Sequence, residues 1–438
     1  MKLDQQIYLE RRKQLLAKMP PKSVMVIAAA SLKSRNSDAE YPFRQASNFY
    51  YLTGFNEPDA LLVLMTDAEF PVTLFCPPRD PEMEIWTGYR AGPQGCVERF
   101  GADQAFNLDK IDERLPKMID GAAQLLYPIA RDKQLDGRVK GWLETLGRSV
   151  RAGAVLPETL ADSDRLLHEM RLFKSAEEIE IMQRAASISA AAHCQAMLAC
   201  KPGVFEYQLE SVIQSYCGAQ GARFQAYTPI VAGGANACIL HYIDNNQPIA
   251  DGDLVLIDAG CELDNYASDI TRTFPANGRF SEEQAAIYDL VLKANEACID
   301  AVRPGINWDS LHQLSVQILT HGLVELGLLQ GDVDELIEAG AFRRFYMHRI
   351  GHWLGMDVHD VGDYRVDGEW RVLSPGIVTT IEPGIYIAPD DHSVEARWRG
   401  IGVRIEDDVL VTEQGALVLT AGVPKARSEI EGLMQNAG

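Results

Sequence analysis

The chain is short of positive charge. Its 438 residues hold 41 Lys and Arg against 62 Asp and Glu, a formal net charge of −21. A surface of that sign repels phosphate backbones, which excludes nucleic acid as an expected partner. It contains no C-x-x-C pair, although it has eight cysteines: Cys76, Cys96, Cys194, Cys200, Cys217, Cys238, Cys261 and Cys298. They fall mostly within apolar or helical patterns and read as reduced, half-buried thiols of a cytoplasmic protein. No apolar run is long enough to cross a membrane, so no membrane partner is expected. The opening MKLDQQIYLERRKQLLAKM is an amphipathic polar helix without an apolar h-region, hence not a signal peptide.

What is present is enough apolar material to build more than one core. Apolar residues make up 47% and charged residues 24%, and a chain of this length usually divides into two or three cores. The pattern predicts a helix from Asp4 to Met19, stopped by Pro20-Pro21, and a buried strand over Val24–Ala30. Further strands are expected at Tyr50–Leu52, Leu61–Met65, Val72–Phe75 and QLLYPI, and helices at Ile111–Met118 and Lys133–Leu146. Such alternation is that of an α/β domain. Near residue 170 the character changes: HEMRLF reads as an extended piece, then a long helix opens with a Ser175/Glu178 capping box and ends at Lys201-Pro202-Gly203. The domain boundary is placed at about residue 172, giving segments 1–172 and 173–438.

The second segment repeats itself. Lys201-Pro202-Gly203 and Leu209 match Arg303-Pro304-Gly305 and Leu311, and DGDLVLIDAG matches SPGIVTTIEPG so that Gly252, Ile257, Asp258 and Gly260 pair with Gly376, Ile381, Glu382 and Gly384. One long duplication, unlike a short-period solenoid, predicts two similar α/β halves that each bring carboxylates to a central pocket.

Asp258 closes an apolar strand face, where a lone carboxylate must be capped, paired or metal-bound. Asp269, in YASDITRTF, would return beside it after a strand, a turn through Glu262-Leu263-Asp264-Asn265 and a second strand. Adjacent carboxylates need a cation, and two readings stay open here: a metal, or an ion pair with Arg272. His348, His352 and His359 fall within twelve residues of a chain that has nine histidines. Gly351 and Gly355 argue against a continuous helix there and for close backbone approach. Glu382 precedes a Pro-Gly turn, and Arg404 and Glu406 share one face of a strand, where a surface ion pair is the plain alternative. Asp258, Asp269, Glu382 and Glu406 with one imidazole form a set that two divalent cations would neutralise. Oxygen-rich ligation favours manganese, while the imidazole leaves zinc, cobalt and iron compatible. A metal pair of this kind serves hydrolysis.

In these motifs, and in SDAEYPFRQASNFYYLTGFNEP, the whole chain resembles the aminopeptidase P (Xaa-Pro aminopeptidase) family, in the M24 superfamily with the pita-bread fold. The resemblance implies an N-terminal creatinase-like domain and a C-terminal pita-bread domain of pseudo-twofold repeat. It implies two metal ions on Asp258, Asp269, His352, Glu382 and Glu406, and substrate peptides with proline in second position. His241 and His359 fall on substrate-binding and proton-handling histidines, His348 on another pocket histidine, and Arg404 on an arginine supporting the metal-site carboxylates. Asp38 and Trp86 match positions near a neighbouring subunit's active site, which implies a homodimer or homotetramer. The expected mechanism is attack by a hydroxide bridging the ions, with Glu382 passing the proton toward the proline nitrogen. A prolidase, restricted to Xaa-Pro dipeptides, would use the same ligands.

Overall fold

The computed structural model describes residues 3–435. The chain divides between Arg171 and Leu172 into two compact units.

The first unit is a six-stranded mixed sheet with helices. From one edge the order is Gln104–Asn107, Val72–Cys76, Leu61–Met65, Ser23–Ala28, Gln124–Tyr127 and Thr159–Asp162. Ser23–Ala28 pairs antiparallel with Leu61–Met65 and parallel with Gln124–Tyr127. Val26, Val63, Phe75 and Leu125 pack from this sheet against Ile111, Leu115, Val139 and Trp142 of two helices. The first helix runs Gln5–Lys18, with the Asp4 carboxylate accepting from the Gln6 backbone N–H as N-cap.

Two expectations fail here. Tyr50–Leu52 is not a strand but lies in a helix, Ser47–Thr53. Its aromatic residues suit a strand by local preference, yet packing overrides that preference: Tyr50 meets Tyr8 edge-on and the Arg11 guanidinium lies 4.0 Å over the Tyr51 ring. HEMRLF is not extended either, because it completes the helix Asp164–Leu172. Acid in that helix's first turn and Arg171 in its last suit the helix dipole.

The second unit consists of two like halves. Each begins with a long helix opened by a capping box: Ala176–Ala199 after Ser175, and Glu282–Ala301 after Ser281. Each helix is followed by the Pro-Gly turn and a second helix, Glu206–Ala219 or Trp308–Glu325. The turns are tied down alike, since Gly203 N–H donates to Ile249 O at 2.8 Å and Gly305 N–H to Leu373 O at 3.0 Å. Each half then supplies antiparallel strands. Leu254–Asp258 lies between Ile230–Gly233 and Thr271–Pro275, and Asp407–Thr412 lies between Val378–Ile381 and Gly415–Val418. Among the described residues no helix is long and apolar enough to cross a membrane. All eight cysteines are free.

Candidate metal centre

The strand LVLID is buried along its length until Asp258. Asp258 is in register with Thr271 of the returning strand. Between them the chain makes a small hairpin, Cys261–Leu263 with Tyr266–Ala267, turning at Asp264 and Asn265 with φ of 49° and 67°. Positive φ at both central residues is the turn geometry that suits the twist of a hairpin. A Cβ on Gly260 would stand 1.7 Å from Ser268 O, so glycine lets the two arms cross. Asp269, 4% exposed, thereby comes back beside Asp258.

The cation of this pair is not Arg272, as the ion-pair reading had it. Successive strand residues point to opposite faces. Thr271 faces the acids, and Arg272 faces away, donating to Asp407 at 2.7 Å and to Glu406 O at 2.6 Å. Arg404 takes that place, its Nη2 donating to Asp258 Oδ2 at 2.6 Å. The Tyr227 hydroxyl stands 2.5 Å from Asp258 Oδ1 and also contacts Asp269 Oδ1.

The second half supplies the remaining groups. Residues 347–359 form no helix. A Cβ at Gly351 would meet Thr380 O at 2.0 Å and one at Gly355 would meet Asp360 Oδ2 at 2.0 Å, as the close-approach reading expected. Thr380 N–H donates to His352 O at 2.9 Å and Glu382 N–H to Ile350 O at 2.7 Å. The β-branched run Val378–Ile381 thus carries Glu382 beside His352. Pro383 offers no N–H for a continued strand, and a new strand, Gly384–Tyr386, pairs with Gly402–Arg404. Glu406, 2% exposed, accepts from Thr271 Oγ1 at 2.7 Å. It does not share a strand with Arg404, because the strand Gly402–Arg404 ends before it and the next opens at Asp407. Arg404 pairs across the halves instead.

Asp269, His352 and Glu406 each bring one ligand atom within 4.8 Å of the others. His352 Nε2 lies 3.4 Å from Asp269 Oδ2 and 3.7 Å from Glu382 Oε1. Its Nδ1 lies 3.0 Å from Trp353 O. A carbonyl only accepts, so Nδ1 donates to it and Nε2 is the nitrogen that faces the acids, the orientation of a metal-ligating imidazole.

The electrostatics of these groups without a cation are strained. Burial and the neighbouring Asp258 push Asp269 up, although His352 and Tyr227 oppose them. Burial likewise pushes Glu382 up to about 7, against His352 and Arg404. Glu406 is raised well above the carboxylate range by burial and by Asp269 and Glu382. Burial disfavours a charged His352, but Asp269 and Glu382 outweigh it and bring the ring to about 9. A phenol has one proton, so Tyr227 cannot donate to Asp258 and Asp269 together. These observations suit a cation between the carboxylates.

Asp258, Asp269, His352, Glu382, Glu406, His241, His348, His359 and Arg404 all line one cavity of about 470 Å³. Asp38 and Trp86 do not. They belong to the first unit, Asp38 exposed in a turn and Trp86 83% exposed on the helix Pro81–Thr87. Arg371 and Arg365 lie outside the lining too, Arg371 donating to Asp363 O at 2.6 Å and Arg365 covering the Trp370 ring. Sequence reasoning missed Tyr227, Arg349, Tyr386 and the apolar wall of Ile230, Leu240, Ile243 and Val358. Tyr227 lies on no periodic strand or helix, and its one signal is an aromatic residue three before the strand that pairs with Leu254–Asp258. Glu206 was missed as well. It is buried, and its carboxylate accepts from Gly233 N–H at 2.8 Å, Asn236 at 2.9 Å, Tyr242 at 2.7 Å and Gln247 N–H at 2.9 Å. It thereby ties down the loop that carries His241.

This geometry coincides with a family match. The model of metallopeptidase family M24 matches residues 180–413. The chain belongs to metallopeptidase family M24. The aminopeptidase P N-terminal domain model matches residues 8–127, which places this M24 protein in the aminopeptidase P group. It is 46% identical to Xaa-Pro aminopeptidase of Escherichia coli over 434 residues, 99% of this chain and 98% of that one. It is 38% identical to human Xaa-Pro aminopeptidase 3 over 407 residues, 92% of this chain and 79% of that one. Among solved structures, Pseudomonas aeruginosa aminopeptidase PepP matches with a TM-score of 0.98 and 53% identity, over 100% of this chain and 99% of that one. Zinc-substituted E. coli aminopeptidase P in complex with product matches with a TM-score of 0.97 and 46% identity, over 100% of both chains. The M24 unit is therefore the pita-bread fold that its internal repeat suggested.

Proposed function

We propose that this M24 protein is a metal-dependent Xaa-Pro aminopeptidase, which removes an N-terminal residue standing before proline. The observation that carries the reading is the convergence of Asp258, Asp269, His352, Glu382 and Glu406 on one cavity. The full-length similarity to curated Xaa-Pro aminopeptidases supports the substrate class, and prolidase is not favoured. We take residues 1–172 as the N-terminal domain and 173–438 as the catalytic domain, a division supported by the family matches and the two compact units.

In this proposal the five residues hold two divalent ions, and the oxygen-rich set favours manganese over zinc or cobalt. Such ions would polarise the scissile carbonyl and lower the pKa of water at neutral pH. The chain's own residues do the rest. Glu382 accepts the proton of the attacking water and passes it toward the proline nitrogen. His241 and His359 hydrogen-bond the substrate as the tetrahedral carbon forms. Burial and His352 hold His359 below its usual range, so it acts as a neutral ring. Arg404 offsets Asp258 and orients Tyr386, which it reaches at 2.9 Å. Ile230, Leu240, Ile243 and Val358 supply an apolar wall for the substrate. Proline's fixed ring and tertiary amide make shape the selective feature.

We further propose a cytoplasmic homo-oligomer, a dimer or tetramer, acting on peptides and on neither nucleic acid nor membrane. The free thiols and the charge of −21 support the location and partners. The oligomer is supported by an apolar surface on the first unit, where Ile85, Trp86 and Tyr89 are 82%, 83% and 90% exposed. Asp38 and Trp86 would then approach a neighbouring copy's site. A release assay on an Xaa-Pro peptide tests the function. Free N-terminal residue should appear with manganese, vanish with chelator and return when manganese is restored. Cleavage that persists after complete chelation would sink the proposal.

A further inference from the structure

Among the described residues, Arg349 is the one guanidinium besides Arg404 that lines the cavity. The two differ in what is left of them. Arg404 is buried and donates to Asp258, Tyr386 and Thr271. The Arg349 side chain is 44% exposed, against 20% for His348 and 18% for Glu382. It therefore stands toward the opening, while the acids form the floor. Its Nη2 pairs with Asp309, and its Cζ lies 4.8 Å over the Trp370 ring. Asp309 is itself anchored: its N–H donates to Asn307 Oδ1 at 2.9 Å, and its Oδ2 accepts from Gln313 at 3.2 Å. Trp370 is covered also by Arg365, at 4.3 Å.

The guanidinium is thus held by an ion pair and a ring. Its Nε and Nη1 have no protein acceptor among the described residues. A guanidinium fixed in this way matches a carboxylate with little further loss of freedom. In the aminopeptidase reading the scissile bond next to the N-terminal residue lies at the metal-binding floor, so a bound peptide enters with its N-terminus inward. Its portion beyond the scissile bond then lies toward the opening, where Arg349 stands.

We infer that Arg349 is a specificity-determining residue that pairs with a carboxylate on the leaving-group side of the scissile bond. The carboxylate is either the free C-terminus of a short peptide or an acidic side chain just beyond the proline. The inference rests on the proposed aminopeptidase activity and adds to it a preference among its substrates.

The test uses the manganese-loaded protein and four peptides: Ala-Pro-Leu as free acid and as amide, and the amides of Ala-Pro-Glu and Ala-Pro-Gln. Wild type should favour acid over amide, or Glu over Gln, by roughly tenfold in kcat/KM, expressed mainly in KM. A preference in the first pair assigns the chain terminus, and one in the second assigns the side chain. In Arg349→Gln the preference should collapse toward one, and Arg349→Lys should restore part of it. A residue that only props up the loop would lower all four values together and leave the ratios as they were. Equal ratios in wild type and Arg349→Gln, with the amides still cleaved, would overturn the inference and leave the aminopeptidase reading standing. Wild type that cleaves none of the four would overturn both.

Discussion

Arg404 and Asp258 are 146 residues apart in the chain and meet at 2.6 Å. The contact joins the two halves of the M24 unit, since Asp258 ends a strand of the first and Arg404 a strand of the second. From Arg404 a run of hydrogen bonds continues: Nη1 donates to the Tyr386 hydroxyl at 2.9 Å, which in turn lies 2.8 Å from His348 Nε2. His348 Nδ1 lies 2.8 Å from Arg349 O, which can only accept. Nδ1 is therefore the protonated nitrogen, and Tyr386 donates to Nε2. Burial and Arg404 bring His348 down to about 3, so the ring stays neutral and this order of donors holds at neutral pH.

Asp269→Asn should abolish metal-dependent turnover. The change removes a charge from the cluster with His352 and Glu406 while keeping the side chain's shape. Metal content by elemental analysis and peptide cleavage with added manganese should fall together. Wild-type activity in that variant would remove Asp269 from the ligand set.

Tyr227→Phe should lower the stability of the chelated protein by about 1–3 kcal/mol, because the one hydroxyl donor between Asp258 and Asp269 is lost. Burial, Asp258 and Asp269 hold the phenol well above its usual pKa, so it is a donor throughout. Metal should offset most of the loss. Thermal melts with and without chelator check this, and an equal loss in both states would show that Tyr227 acts through packing alone.

Glu206→Ala should cost about 2–4 kcal/mol, since four donors that it satisfies would be left in a buried site. The loop bearing His241 should loosen, raising KM in a peptide assay. A chemical-denaturation curve measures the first effect. A midpoint unchanged from wild type would mean that water replaces the carboxylate.

Acid should weaken the fold through two buried histidines. Burial lowers His193 to about 4, against its contact with Ala259 O, and burial with Arg349 lowers His312 to about 4. The unfolded chain takes up these protons near pH 6.5. Between pH 6.5 and 4 it therefore binds more protons than the native state, and stability falls as pH falls. The contribution is complete above pH 6.5, and its slope is at most about 1.4 kcal/mol per pH unit for each ring. Glu382, raised to about 7, titrates in the opposite sense in chelated protein. The difference between wild type and His193→Gln isolates the histidine term. A wild-type-minus-variant stability that is flat from pH 7 to 4.5 would refute it.

Much of the fold was legible because its signals are local. The capping box at Ser175 needs only two side chains three positions apart, and both of its hydrogen bonds form, at 2.8 and 3.4 Å. The matching Pro-Gly turns and the matching runs before Asp258 and Glu382 exposed the duplication, and with it the gathering of acids. The Tyr50–Leu52 helix was not legible, because Tyr8 and Arg11 decide it from a different helix. Nor was the cation for Asp258. Arg272 was nearer in sequence, but strand alternation turns it to the other face, toward Asp407.

The amino-acid sequence by itself determined the family, the doubled α/β architecture and the acids and histidines that line the cavity, since strand periodicity, turn residues and motif spacing are written along the chain. Tertiary structure alone decided how the charges pair. It set Arg404 on Asp258, Tyr227 between two carboxylates and Arg349 at the cavity's opening. The physical reason is that ion pairs and buried polar contacts depend on distances across the two halves, and no local pattern encodes a distance between residues far apart in the chain.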